Sequence, residues 1–310
     1  MKPEILLLEP MMSEIEKELY DAYVVHPYQS GDDIAKFAPQ IRGIATGGGT
    51  GVPRAIMDQL PALEIIAVNG VGTDAIDLVE TQRRNIAVTT TAGVLTDDVA
   101  DLALALILAS LRDIVAGDEF AHKKLWGKET LPLSRKMSGK KLGIFGMGNI
   151  GRAVARRAQG FDMRVSYNSR KDEGLKDVTY VPSLTELARQ SDILVISVSG
   201  GPATRHLVNQ EVLEALGPKG LLVNISRGTV VDEAALIEAL KAKKLGWAAL
   251  DVFENEPHIP DELLGMQNVL VQPHRASATI ETRLQMGKLV VDNLAAHFAG
   301  KPLLTPVPAK

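Results

Sequence analysis

At 310 residues and 45% hydrophobic content, the chain is long enough for two domains with well-filled cores. A formal net charge of -4 argues against nucleic acid as a general partner, and the absence of cysteine excludes a disulfide scaffold, a thiol nucleophile and a cysteine-ligated metal site. The opening apolar run, residues 5–8, is too short for a signal peptide, and the longest, residues 102–111, stops at Arg112, well short of a bilayer span. A soluble cytoplasmic protein with no membrane partner is expected.

In the first hundred residues, strand-like runs at 5–8, 23–26, 41–45 and 64–68 alternate with helix-like runs at 13–21, 32–38 and 54–60. Such alternation predicts parallel strands joined by crossover helices, an α/β unit of its own. Two strand ends lead into glycine-rich loops, Thr46-Gly47-Gly48-Gly49-Thr50-Gly51 and Asn69-Gly70-Val71-Gly72-Thr73-Asp74. Ligands collect outside the carboxyl ends of strands in open α/β sheets, and exposed backbone donors there suit a small anion such as a carboxylate. The plain alternative is that glycine only turns the chain.

A strand at 86–88 precedes Thr89-Thr90-Thr91-Ala92-Gly93. Asp97-Asp98 then opens a helix predicted to run to about Asp113, with both acids placed to suit the macrodipole. This helix is apolar almost all round and must be covered on every side, between two domains, between two subunits, or both. Residues 116–138 read as an irregular excursion, either a dimer arm or a long surface loop.

The stretch Lys141-Leu142-Gly143-Ile144-Phe145-Gly146-Met147-Gly148-Asn149-Ile150-Gly151 joins a short buried strand to a helical pattern through G-x-G-x-x-G. Gly146 suits a tight turn, Gly148 the approach of backbone N–H groups to a pyrophosphate, and Gly151 close packing of helix on strand. The helix N-terminus supplies unpaired donors and partial positive charge to phosphates. A strand at 163–167 follows, and at its end, where NAD-type folds commonly carry an acid for the adenosine ribose, stand Asn168, Ser169, Arg170 and Lys171. Asn168 removes the repulsion an aspartate exerts on the 2′-phosphate of NADP, which carries roughly two negative charges. Ser169 can donate to that phosphate and Arg170 can form a paired, charge-assisted contact with it. NADP(H) is therefore preferred, with NAD(H) the weaker cofactor; a solvated basic turn is the alternative.

Ser183-Leu184-Thr185-Glu186 is a capping box, residues 192–198 and 220–225 read as strands, Asn209 caps a helix ending at Gly217-Pro218, a further helix spans about 232–243, and strands at 246–251 and 269–271 close the pattern. No internal repeat interrupts this half, which reads as one doubly wound domain. The polar residues just past the strands are Asn69, the glycine turn, Asn168, Ser197, Arg227, Asp251 with Glu256, and His274. Singly, each has a dull explanation as a surface, solvated or turn residue. Together they supply an acid, a group that tunes it and a fixed positive charge, the parts a carbonyl reduction needs. His274 would protonate the carbonyl oxygen as hydride arrives, Glu256 would favour the charged ring and orient it, and Arg227 would bind a carboxylate and polarise the neighbouring carbonyl.

Four ordered motifs, Gly146-Met147-Gly148-Asn149-Ile150-Gly151, Asn224-Ile225-Ser226-Arg227-Gly228-Thr229-Val230-Val231-Asp232-Glu233, Asp251-Val252-Phe253-Glu254-Asn255-Glu256-Pro257 and Pro273-His274, resemble those of the D-isomer specific 2-hydroxyacid dehydrogenases. The resemblance covers nearly the whole chain, including residues 69–77. It implies a Rossmann-type dinucleotide-binding domain at 98–284 and a smaller, discontinuous flavodoxin-like substrate domain at 1–97 and 285–310. It also implies a catalytic set of Arg227, Glu256 and His274, and a small 2-oxo or 2-hydroxy acid substrate whose carboxylate is held by the backbone around Val71 and Gly72 and by Arg227, with Asn69 and His274 also touching the substrate. Cofactor contacts carry over to Thr91, Asn149, Ile150, Ile225 and Asp251, with Arg227 and His274 bordering the cofactor as well, and the family commonly forms homodimers. Asn168 departs from the NAD-type members, whereas Ser169-Arg170 is similar to the NADPH-preferring glyoxylate, hydroxypyruvate and 2-ketogluconate reductases. A different class, a nucleotide-sensing binding protein on the same fold, is opposed by the retained Arg227, Glu256 and His274. Formate dehydrogenase chemistry would leave Glu256 and His274 with little purpose.

Overall fold

The computed structural model describes residues 2–308. The chain divides into two compact units, the first running to Leu95 and resuming at Ser277, the second Thr96–Ala276. The return to the first unit precedes the expected boundary at 284/285, because helix Ile280–Phe298 belongs to that unit and packs on strand Ile65–Asn69 and helix Ser13–Ala22.

The first unit is built on β1 (Glu4–Leu7), β2 (Val24–Pro27), β3 (Ile41–Gly47), β4 (Ile65–Asn69) and β5 (Ala87–Thr89), in the order β2-β1-β3-β4-β5 with every ladder parallel. That is the flavodoxin-like order. Successive side chains of a strand point to opposite faces, and here both faces are covered. Leu6, Ile44 and Ile66 enter one core with Ile56, Met57 and Leu60, whereas Ile5, Ala45 and Ala67 enter another with Ile15, Leu19 and Leu294. Double coverage is why these strands read as unbroken apolar runs. The open edge of β5 is covered by the C-terminal segment, where the Val307 N–H donates to the Val88 carbonyl at 2.8 Å and the Thr305 hydroxyl to the Thr90 carbonyl at 2.6 Å.

The second unit carries β6 (Lys141–Phe145), β7 (Arg164–Asn168), β8 (Thr179–Tyr180), β9 (Ile193–Ile196), β10 (Leu221–Asn224), β11 (Trp247–Leu250) and β12 (Val269–Val271), in the order β12-β11-β10-β9-β6-β7-β8, again all parallel. Strand order reverses between β6 and β9, and a ligand crevice forms at such a switch point. Phe145, Leu194, Leu222, Ala248 and Leu250 fill the core beside the helices that follow β9 and β10. Ser183 and Asn209 cap as expected, accepting from the Glu186 and Val212 N–H groups, and Asp232 does the same for Ala235.

Two segments differ from their sequence reading. Residues 32–38 form turns leading into a short 3-10 helix, Ala38–Gln40, rather than an α-helix. There the Asp32 and Asp33 carboxylates accept the Gln29 and Ala35 N–H groups, local bonds that compete with helical ones. Within the predicted irregular excursion, Ile114–His122 is an α-helix with no buried residue. Helix Thr96–Leu111 buries seven residues against helix Asn149–Gln159 and β10–β12, but Ala105 is exposed and Leu102, Leu108 and Ala109 are half-buried. It is anchored by Arg157, whose guanidinium meets Asp97 at 2.8 Å and Asp101 at 2.5 Å. No helix among the described residues is long and apolar enough to cross a membrane.

Candidate active site

The glycine turn leaves β6 at the switch point. Gly146 has φ 103°, in the left-handed region, and a Cβ there would lie 2.7 Å from the Val198 nitrogen, so only glycine fits. A Cβ on Gly151 would stand 2.1 Å from the Gly146 carbonyl oxygen, which fixes how closely the helix approaches its strand. Gly148 differs: nothing lies within 4 Å of its Cβ position, and it is the N-cap of helix Asn149–Gln159 without a side chain capping the helix. The first N–H groups, near Asn149 and Ile150, thus face an open cradle, which fits a dinucleotide pyrophosphate.

At the end of β7, Asn168 is buried and its amide nitrogen donates to the Val181 carbonyl at 2.8 Å, while its own carbonyl accepts from the Gly146 N–H at 2.8 Å. The side chain expected at an adenosine ribose is thereby also a brace between β7 and the segment after β8. Ser169 donates its hydroxyl to the Lys171 carbonyl, closing the turn on which Arg170 stands exposed. No carboxylate occupies residues 168–170.

Arg227 sits three residues past β10. Asn224 shapes that loop: its amide nitrogen donates to the Arg227 carbonyl at 2.9 Å, and its amide oxygen accepts from the Ser226 N–H at 3.1 Å and hydroxyl at 3.2 Å. The buried Ile225 precedes them. The Arg227 guanidinium bonds back to the Ser226 carbonyl at 2.8 Å.

Past β11, Asp251 is fully buried, and its two carboxylate oxygens accept the N–H groups of Arg275 at 2.7 Å and Ala276 at 2.9 Å. Its backbone carbonyl accepts from the His274 N–H at 2.8 Å. His274 is held with φ 51°, a conformation uncommon for a residue with a Cβ. Burial pushes the Asp251 carboxyl up, and the two backbone donors with the nearby imidazole counter only part of that.

The His274 Nδ1 lies 2.7 Å from Glu256 Oε2, and Glu256 Oε1 accepts the Phe253 N–H at 3.0 Å. Burial raises the Glu256 carboxyl, but the hydrogen bond and charge of His274, the Phe253 donor and the charge of Arg227 outweigh it and hold it below the ordinary carboxylate value. The ring's second nitrogen, Nε2, is the one left to exchange a proton with a bound molecule.

A further tie escaped the sequence reading. Glu254 accepts from Arg205 and lies 2.9 Å from His206 Nε2, while the His206 N–H donates to the Thr229 carbonyl at 2.9 Å. The Glu256 loop is thereby fastened to the segment after Arg227. Residues 199–206 are polar and aperiodic, so nothing in the pattern marked Arg205 and His206.

In the first unit, the loops after β3 and β4 lie backbone to backbone: a Cβ on Gly48 would be 3.4 Å from the Gly70 Cα and 3.6 Å from the Gly72 nitrogen. The Thr91 N–H donates to the Gly70 carbonyl at 2.8 Å. Asn69 Oδ1 and Thr91 Oγ1 are buried polar atoms without a hydrogen-bond partner, and Val71 is exposed at 39%. Orphaned acceptors and hydroxyls at strand ends are what a polar ligand would satisfy.

Residues 104–276 match the family model of the D-isomer specific 2-hydroxyacid dehydrogenase NAD binding domain. A 2-ketogluconate reductase of Gluconobacter oxydans is 49% identical over 306 residues, 99% of each chain. A glyoxylate/hydroxypyruvate reductase A of Arabidopsis thaliana is 43% identical, covering 98% of each. The structure of an NADPH-dependent glyoxylate/hydroxypyruvate reductase from Sinorhizobium meliloti, in complex with NADP and malonate, is 40% identical and superposes with a TM-score of 0.95 over 99% of this chain and 97% of the other. Fold, strand-end chemistry and these likenesses together mean that the chain belongs to the D-isomer specific 2-hydroxyacid dehydrogenases.

Proposed function

We propose that this protein reduces a small 2-oxo acid (glyoxylate, hydroxypyruvate or 2-ketogluconate) to the 2-hydroxy acid, the D-isomer where the product is chiral, using NADPH in preference to NADH. The observation that carries the reading is the 2.7 Å contact between His274 Nδ1 and a Glu256 carboxylate kept ionised, beside Arg227. Glu256 fixes the tautomer and orientation of the ring, leaving Nε2 to give its proton to the carbonyl oxygen. Arg227 offers a fixed charge that polarises the carbonyl and pairs with the substrate carboxylate. The backbone N–H groups at Val71 and Gly72 would be the carboxylate-binding donors of the first unit, and the unpartnered Oδ1 of Asn69 could accept from a substrate hydroxyl.

A reduced nicotinamide, when bound, supplies the hydride. The turn Gly146–Gly151 would hold its pyrophosphate, Ser169 and Arg170 the 2′-phosphate, and Ile225, Asp251 and Thr91 would border the remainder. The absence of an acid at residues 168–170 and the exposure of Arg170 support NADPH. The names of the most similar relatives, reductases of 2-ketogluconate, glyoxylate and hydroxypyruvate, support the substrate class. A homodimer is part of the proposal, supported by the exposed Ile114, Val115, Trp126, Leu131 and Leu133 along one stretch of chain.

The test follows loss of NADPH absorbance, and separately NADH, with 2-oxo acids of increasing length. Turnover with at least one of the three, and a higher kcat/KM with NADPH, is the expected result. No turnover with any 2-oxo acid refutes it and favours a nucleotide-sensing protein.

A further inference from the structure

Glu9 stands two residues past the end of β1, on the same sheet edge as the glycine loops that follow β3 and β4. Its carboxylate lies over the first of these loops. Thr50 donates its hydroxyl to Glu9 Oε2 at 2.5 Å, and no lysine or arginine among the described residues pairs with the charge. The placement depends on residue 47 being glycine, since a Cβ there would sit 1.8 Å from Oε2 and 2.3 Å from the Glu9 Cδ. Beyond the carboxylate, nothing lies within 4 Å of the Gly49 Cβ position, so the loop leaves space there. Gly48, between them, abuts Gly70 and Gly72 in the loop assigned above to the substrate carboxylate.

A half-buried, unpaired anion this close to an anion-binding loop is unfavourable for a short substrate, which brings a second negative charge and no group to answer the first. It suits a longer one carrying hydroxyl donors, because hydrogen bonds to an ionised acceptor are about twice as strong as neutral ones. A site furnished to accept substrate hydroxyls also discriminates against analogues lacking them.

We propose that Glu9, with Thr50, is a specificity-determining pair that accepts hydrogen bonds from the distal hydroxyl groups of a polyhydroxylated 2-oxo acid. The inference rests on the reading of the Asn69–Gly72 loop as the carboxylate site. It predicts a sugar-acid preference over two-carbon substrates that resides in one side chain.

The experiment compares kcat/KM for 2-ketogluconate and glyoxylate in the unaltered protein, Glu9→Ala, Glu9→Gln and Gly47→Ala. The last keeps the glutamate and displaces its carboxylate from the loop. The ratio of the two kcat/KM values should fall about tenfold to a hundredfold in Glu9→Ala and Gly47→Ala, the range for one or two charged hydrogen bonds, and less in Glu9→Gln. The loss should appear mainly in KM for 2-ketogluconate. An unchanged ratio in both Glu9→Ala and Gly47→Ala, in a protein that reduces both substrates, overturns this inference alone. An unaltered protein that reduces glyoxylate but not 2-ketogluconate also overturns it, whereas one that reduces no 2-oxo acid removes the functional reading beneath it.

Discussion

Gly228 is where the loops carrying Arg227 and Glu256 touch, and enlarging it by one carbon tests whether their spacing sets the activity. A Cβ at Gly228 would lie 1.9 Å from the Phe253 carbonyl carbon, 2.0 Å from its oxygen and 2.4 Å from the Glu254 nitrogen. All three are backbone atoms, so no side chain can swing aside. Ordinary contact begins near 3.4 Å, and the loops must part by about 1.5 Å, the difference between 3.4 and 1.9 Å. Arg227 is the residue before Gly228, and the Phe253 N–H holds Glu256, which in turn holds His274. The displacement therefore separates Arg227 from the Glu256–His274 pair. A misplacement of about 1 Å costs roughly a hundredfold in rate, and overpacking costs about 1–3 kcal/mol of stability. Gly228→Ala should accordingly lower kcat/KM for glyoxylate by two orders of magnitude or more, with a fall of several degrees in Tm. Steady-state kinetics and thermal melting followed by circular dichroism measure both. A folded variant with unaltered kcat/KM would refute the claim that this contact positions the chemistry.

His274→Ala should reduce kcat by about two to four orders of magnitude while the protein still binds NADPH, read by cofactor fluorescence titration. Arg170→Ala should raise KM for NADPH more than for NADH; equal effects would mean that this turn does not read the 2′-phosphate. Glu256 has a folded-state carboxyl held below its ordinary value, so its contribution to stability is full above the ordinary carboxylate range and is lost as pH falls through the depressed value. The kcat/KM profile should therefore lose its Glu256-dependent part only below the pH at which an ordinary glutamate would titrate, and Glu256→Gln should depress the plateau itself. Asp251 has the opposite sign: its carboxyl is raised by burial, so its contribution is full below the ordinary range and diminishes as pH rises through the raised value. Asp251→Asn relieves a buried charge but sets an amide N–H₂ against one of two backbone donors, so kcat should fall at least about tenfold with little loss of Tm at neutral pH.

Much of this architecture was legible because both sheets are covered on both faces. Ile5 and Leu7 enter one core and Leu6 enters the other, so the strand reads as a continuous apolar run that no surface helix imitates. The glycine turn was equally visible, since Gly146 and Gly151 are each required by a backbone atom closer than 3 Å. Helix Ile114–His122 was not, because it buries no residue and so leaves no period of 3.6 in its apolar pattern. The two-residue strand β8 is too short to show alternation at all.

The candidate catalytic residues were legible by type and order, but the device that aims them was not, because it is made of bonds from side chains to distant backbone. Asp251 reads in sequence as a polar residue after a strand; in the fold its carboxylate spans the N–H groups of Arg275 and Ala276 while its carbonyl takes that of His274. Three bonds from one residue hold His274 at a positive φ that few residues with a Cβ adopt. Left-handed φ values recur at six other non-glycine residues, His206 at 52° among them, so what bears on His274 is where these bonds aim its ring. They aim it so that the imidazole meets Glu256 at 2.7 Å, and loosening them would let the ring turn away from its carboxylate. Loss of the Asp251 clasp should therefore lower activity by freeing the His274 ring rather than by unfolding the chain, which is the outcome expected of Asp251→Asn.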